Sequence, residues 1–253
     1  MDNIKIGPSR PLFVLFGSSI VQLSYYFDGW GATLTGLYAR KADISVRGYI
    51  GWNSRMALQV LHKVFPQNDK IQPSLVILYF GGNDSTDPDV PNSPNVPLDE
   101  YVENMRKIIF HIKGLSENTR LIMLSAPAVN EQQIIEFYGS NMGRTNERAR
   151  IYSKVGIKLA HEVNVKVIDI WSALHDRPEV FWDGMHLTKE GSEIVFNKIK
   201  EVIKEAEWEP TLDWDKMPDE FDEIKPNDLY LEKLMDGINK MVGISGSREL
   251  KSE

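Results

Sequence analysis

The stretch "LFVLFGSSIVQLSYYFDGWG", residues 12–31, carries the decisive reading. Five apolar residues end at Gly17, two serines follow, and a new apolar pattern starts at Ile20. The run has no alternation of apolar and polar residues, which is the mark of a strand buried on both faces rather than one half open to water. A buried strand running through a small polar turn into a helix is the opening unit of a parallel α/β sheet.

The same rhythm recurs downstream. Apolar runs at 43–48 ("DISVRG"), 74–81 ("SLVILYFG"), 120–127 ("RLIMLSAP") and 165–170 ("VKVIDI") complete a set of five central strands. Helical periodicity falls between them at 53–64, 98–114 and 143–163, and after them at 188–206. Pro97-Leu98-Asp99-Glu100 opens one of these helices with acidic residues in its first turn, and Thr188 is a candidate N-cap for the last. Right-handed crossovers between such units predict a three-layer α/β/α sandwich, a flavodoxin-like fold with a five-stranded parallel sheet. Residues 83–97, with four prolines, read as a long surface loop, and the segment from Glu207 onward resists regular assignment, with Trp208 and Trp214 as aromatic anchors. This divides the chain into a main domain, 1–206, and an acidic extension, 207–253.

Bulk composition narrows the function. The net charge of −7 is concentrated in the extension, which carries 13 acidic and 6 basic residues, so the body is balanced. No basic stripe interleaves with aromatics, which argues against nucleic acid as a partner. With no cysteine, a thiolate metal site and a Cys nucleophile are both excluded. The N-terminus has Asp2 and only a short apolar run, unlike a secretory signal, and no apolar stretch is long enough to span a membrane. A cytoplasmic location is expected. Oligomeric state is not set by any of these features.

In a doubly wound sheet, ligands sit beyond the carboxyl ends of the strands. The residues placed there are Ser18 and Ser19, Gly48 and Gly51 in "RGYIGWNS", Gly81, Gly82, Asn83 and Asp84 in "YFGGND", and Asp183 and His186 in "FWDGMHL". Singly, each has an ordinary structural explanation as a helix cap or a turn. Together, "FGSSI", "RGYIGWNS", "YFGGND" and "DGMHL" resemble, in order and spacing, the four sequence blocks of the SGNH hydrolases, the GDSL esterase/lipase family. The resemblance spans roughly residues 11–206. "DGWGATL", "RGYIGWNSR" and "EWEPTLDWDKMP" are similar to its isoamyl acetate-hydrolysing esterase subgroup, particularly the plant members.

The resemblance implies a serine esterase that needs neither a metal nor another cofactor and takes a small-molecule ester. Ser19 matches the nucleophile, His186 the base that activates it, and Asp183 the carboxylate that orients the imidazole. The oxyanion hole falls on the backbone N–H groups of Ser19 and Gly51 and on the side chain of Asn83. The family motif reads Gly-Asp-Ser, whereas this chain has Gly17-Ser18-Ser19. The small-to-apolar step into Ile20 favours Ser19, and Ser18 stays open as the alternative.

Other residues point elsewhere. His62, His111, His161 and His175 share no ligand spacing, Tyr79 and Phe80 read as strand core, and Arg144, Asn146 and Arg148 read first as a charged helix start on the surface, with reach into the substrate pocket as the alternative. Tyr25, Tyr26 and Trp30 are pocket or packing residues. Three rival functions remain: a metal-dependent phosphoesterase using Asp84, Asp183 and His186, a flavodoxin-like binding module with phosphate at the helix after Ser19, and a catalytically impaired scaffold. The second leaves Asn83, Asp183 and His186 without a role.

Overall fold

A computed structural model describes residues 10–224 and 228–242. The first nine residues, on which the leader expectation rests, and the last part of the acidic extension lie outside the described residues. In chain order the elements are β1 (Leu12–Gly17), α1 (Ser19–Gln22), α2 (Trp30–Leu37), β2 (Asp43–Gly48), α3 (Ser54–Val64), β3 (Leu75–Tyr79), α4 (Leu98–Lys113), β4 (Arg120–Leu124), α5 (Glu131–Tyr138), α6 (Asn146–Glu162), β5 (Lys166–Ile168), α7 (Ile170–Leu174), α8 (Lys189–Glu205) and α9 (Asp228–Val242). The strands form one parallel sheet in the order β2-β1-β3-β4-β5. The predicted architecture is present.

Alternate strand residues feed two cores, because successive side chains leave opposite faces of a pleated strand. Phe13, Leu15, Ile77 and Leu124 pack with α1, α2, α7 and α8 on one face. Val14, Phe16, Leu78 and Met123 pack with α3, α4 and α6 on the other. Each fully buried Leu, Ile or Phe contributes roughly 1.5–3 kcal/mol relative to exposure, so the sheet is fixed mainly by these two layers. The expectation of five central strands is corrected at the edges. β2 and β5 each have only one neighbouring strand, and β2 is largely half-exposed.

Caps set where the helices begin. Asn53 accepts from the Met56 N–H to open α3, Thr145 from Arg148 to open α6, and Thr188 from Gly191 to open α8. The predicted surface loop 83–97 is only partly on the surface. Asn83, Asp84, Ser85 and Thr86 are buried, and the loop is tied down by Val96 N–H to the Asp84 carbonyl and by the Tyr152 hydroxyl to the Val96 carbonyl.

The chain divides into two compact units, 1–217 and 218–253. The first therefore runs past residue 206: Leu212 and Met217 are buried in the core and Trp208 and Trp214 pack against it. The Tyr38 hydroxyl donates to the Leu212 carbonyl at 2.6 Å, and Lys41 Nζ to that of Met217 at 2.6 Å. In the second unit α9 presents Leu231, Leu234, Met235 and Ile238 on one exposed stripe. Among the described residues no helix is long and apolar enough to cross a membrane.

Candidate active site

The chain reverses its direction of growth across the sheet between β1 and β3, which leaves a crevice at their carboxyl ends. Gly17 is required there, since a Cβ on it would lie 2.5 Å from the Tyr79 carbonyl oxygen. Ser18 follows, almost fully buried, in the N-cap position of α1 but without a side-chain capping bond. Its side chain lies beside the Tyr79 phenol. Ser19 is the first residue of α1 and only half-buried, and its hydroxyl has no hydrogen-bond partner among the described residues.

Ser19 lines a narrow cavity of about 30 Å³ together with Ser18, Tyr79, Asn83, Arg144 and His186. Three segments far apart in sequence thus converge, Ser19 and Asn83 from the strand ends predicted for them and His186 from a turn beyond α7 rather than directly after β5. Ser19 and His186 share the cavity without a direct hydrogen bond between them. Gly51 is not brought in. It sits in the turn after β2, exposed, with φ +80°, and does not line the cavity.

Asp183 and His186 belong to a tight turn held by its own side chains. Gly184 has φ +87°, and a Cβ there would lie 2.5 Å from the Asn130 carbonyl oxygen, so an L side chain is excluded both by conformation and by space. Asp183 Oδ1 accepts from the Met185 and His186 N–H groups at 2.9 and 2.7 Å. Its other oxygen bonds His186 Nδ1 at 2.6 Å. The Trp182 ring stacks on the imidazole with centroids 5.4 Å apart.

Burial by itself would raise the Asp183 carboxyl, but hydrogen bonds from His186 and Tyr138 and the charge on His186 hold it down to about 2. An ionised carboxylate only accepts, so Nδ1 carries a proton, and in the neutral form of the ring Nε2 is the acceptor. A fourth donor was not legible beforehand: the Tyr138 hydroxyl, at the end of α5, donates to Asp183 Oδ2 at 2.6 Å. Burial and this bond to a carboxylate push the Tyr138 phenol up to about 12.

Asn83 is held from both sides. Its Nδ2 donates to the Trp52 carbonyl at 2.8 Å, and its Oδ1 accepts from Arg144 Nη2 at 2.6 Å. The expectation that Arg144 lies on a surface helix start is therefore overturned. Arg144 precedes the α6 cap but turns inward, because the Gly143 carbonyl is bonded by the Asp87 N–H and draws this turn against the loop after β3. No sequence spacing signals either Arg144 or Tyr138, since each meets its partner across 45 or more residues.

The other candidates disperse. The Asp84 carboxylate points away from the cavity and accepts from the Ser54 and Gly81 N–H groups at 2.9 and 3.1 Å. Among the described residues no three His, Asp or Glu side chains gather as a metal site would need. His62 and His111 meet edge to face, and His175 stacks on Trp171. Asn146 accepts from the Val129 N–H, and Arg148 donates to the carbonyls of Ser85 and Thr86, so both brace loops. Trp30 is buried and borders a smaller cavity on another side of His186, while Tyr26 is exposed.

The GDSL-like lipase/acylhydrolase family matches residues 15–194. A rice (Oryza sativa subsp. japonica) protein named GDSL esterase/lipase WDL1 is 54% identical over 231 residues, covering 88% of this chain and 89% of that one. The human isoamyl acetate-hydrolyzing esterase 1 homolog is 30% identical over 204 residues, covering 77% and 82%. Among solved structures, a lipase/acylhydrolase from Enterococcus faecalis shares the fold with a TM-score of 0.59 at 22% identity, covering 76% of this chain and 95% of that one.

Proposed function

Because this chain belongs to the GDSL-like lipase/acylhydrolase family and is a carboxylic ester hydrolase, we propose that it cleaves small, relatively apolar esters with acetyl or short acyl groups, through an acyl-enzyme on Ser19. In this mechanism His186 Nε2 takes the Ser19 proton as Oγ attacks the ester carbonyl. The tetrahedral oxyanion is met by the Asn83 amide and the Ser19 N–H. Collapse breaks the bond to the alkoxy oxygen, which leaves as alcohol with the proton from the imidazolium. Water, deprotonated by the same ring, then attacks the acyl-enzyme and releases the carboxylic acid. Asp183 stays ionised throughout and holds the imidazole in the productive tautomer, with Tyr138 fixing the carboxylate. Gly51 serves as a further donor only if its turn moves toward the cavity, a change that closure on a substrate can supply.

The observation that carries this reading is the single narrow cavity shared by Ser19, Asn83 and His186, with His186 already bonded to Asp183 at 2.6 Å. The narrow cavity beside Ser19 supports a short acyl group rather than a long one.

The test is fluorophosphonate labelling with mass spectrometry, joined to a series of p-nitrophenyl esters from acetate to palmitate. The adduct is expected on Ser19, turnover is expected to be highest at the short end, and Ser19→Ala is expected to abolish both. An adduct on Ser18 would overturn the nucleophile, and a preference for palmitate would overturn the acyl site.

A further inference from the structure

The guanidinium of Arg144 is poorly explained as a contributor to stability. Among the described residues it forms no ion pair, and its Nε is shielded from solvent without a hydrogen-bond partner. Burial lowers its affinity for the proton relative to an ordinary arginine. A half-buried guanidinium with no direct ion pair is costly to keep there. Its remaining bonds go to adjacent residues of one loop: Nη1 to the Gly82 carbonyl at 2.9 Å and Nη2 to Asn83 Oδ1 at 2.6 Å. The planar fork thus grips the segment that carries the amide facing the cavity.

An asparagine amide can sit in either of two flipped orientations, and only one aims N–H at a substrate oxygen. The Trp52 carbonyl needs a donor from Asn83 and Arg144 needs an acceptor, so both partners enforce the same orientation. The Trp52 bond uses one of the two Nδ2 hydrogens and leaves the second for the cavity. The charged bond at Oδ1 draws electron density toward the oxygen and makes the remaining N–H a stronger donor, an effect that grows as negative charge develops on the substrate.

We propose that Arg144 is a positioning residue for ester hydrolysis, acting through Asn83: it fixes and polarises the amide that receives the oxyanion. This rests on the functional reading above, in which Asn83 is an oxyanion donor. Because the interaction strengthens in the transition state, its loss falls on kcat rather than on KM.

The test is a double-mutant cycle on the full-length chain with p-nitrophenyl acetate. Asn83→Ala is expected to lower kcat by about 10²- to 10³-fold, and Arg144→Met by roughly tenfold or more with KM nearly unchanged, because it leaves a weaker donor in place. In the Asn83→Ala background Arg144→Met is expected to change kcat by less than about twofold, since the two residues act as a unit. Arg144→Lys, which keeps the charge without the fork, is expected to recover part of the loss, and it replaces Arg144→Met in the cycle if that variant does not fold. Equal fold-losses from the Arg144 change in both backgrounds, or a loss confined to KM, overturn the role assigned to Arg144. An unaltered kcat in Asn83→Ala overturns the oxyanion reading itself, which separates the two failures.

Discussion

Two aspartates, each with no exposed surface and each in a loop at the carboxyl side of the sheet, are driven in opposite directions. Asp84 accepts from backbone N–H groups and the Ser54 side chain, and burial still raises its carboxyl from the ordinary 3.8 to about 6. Asp183 also accepts two backbone N–H groups, yet it is held at about 2 because an imidazole and a phenol reach its second oxygen. The same residue type, without exposed surface in either place, is a loop brace in one and a fixed anion in the other. Deeper burial raises Asp84, and hydrogen bonds from the His186 imidazole and the Tyr138 phenol hold Asp183 down.

The largest expected effect comes from exchanging each for its amide. Asp183→Asn should lower kcat by about 10³- to 10⁴-fold, because the amide can donate to Nδ1 and so favours the wrong imidazole tautomer. Asp84→Asn should cost far less turnover and act chiefly on stability. Steady-state kinetics on both variants check this, and similar losses of kcat would erase the distinction between them.

Next in size is the dependence of stability on pH, where the signs differ. For Asp84 the folded carboxyl binds its proton more tightly than the unfolded one, so its contribution becomes more favourable as pH falls from about 6 toward 4. The full change corresponds to about 3 kcal/mol. For Asp183 the folded value is depressed, so its contribution is complete above about pH 4 and is lost as pH falls toward 2. Urea unfolding across pH 2 to 7 should show Asp84→Asn losing the gain between 6 and 4 while keeping the decline below 4. A variant that retains the upper gain would place its origin elsewhere.

The smallest effect sharpens the contrast at one atom. Tyr138→Phe removes one hydrogen bond to the Asp183 carboxylate and should destabilise the fold by about 1–2 kcal/mol, at the low end of bonds to charged groups because Tyr138 is partly exposed. Turnover should fall by less than about tenfold, since the His186 bond remains. Thermal denaturation and kcat measured together test this, and a loss as large as that of Asp183→Asn would make the phenol part of the reacting machinery.

Much of the fold was legible because it is written locally. The runs at 12–16 and 74–81 are apolar on both faces and became β1 and β3, and Thr188 caps α8 as its position predicts. α2 and α5 were not read. "WGATLTGL" mixes glycine and threonine, which are weak helix formers, and "EQQIIEFY" is barely two turns long, too short for a period to emerge. The strand-end rule placed Ser19 and Asn83 at the crevice because a parallel sheet sends every carboxyl end to one side, whereas Asp183 and His186 come after α7 and were legible only through their motif.

By itself the sequence determined the alternation of strands and helices, the five-stranded sandwich, the turn that joins Asp183 to His186, and the family to which the chain belongs. These follow from propensities, caps and motifs that act over a few residues or repeat in fixed order. Only the tertiary structure decided that Arg144 grips Asn83, that Tyr138 reaches Asp183, that Gly51 stays outside the cavity and that Asp84 faces inward. Such contacts depend on how loops pack after the sheet has formed, and the energy that selects them is spread over partners distant in the chain.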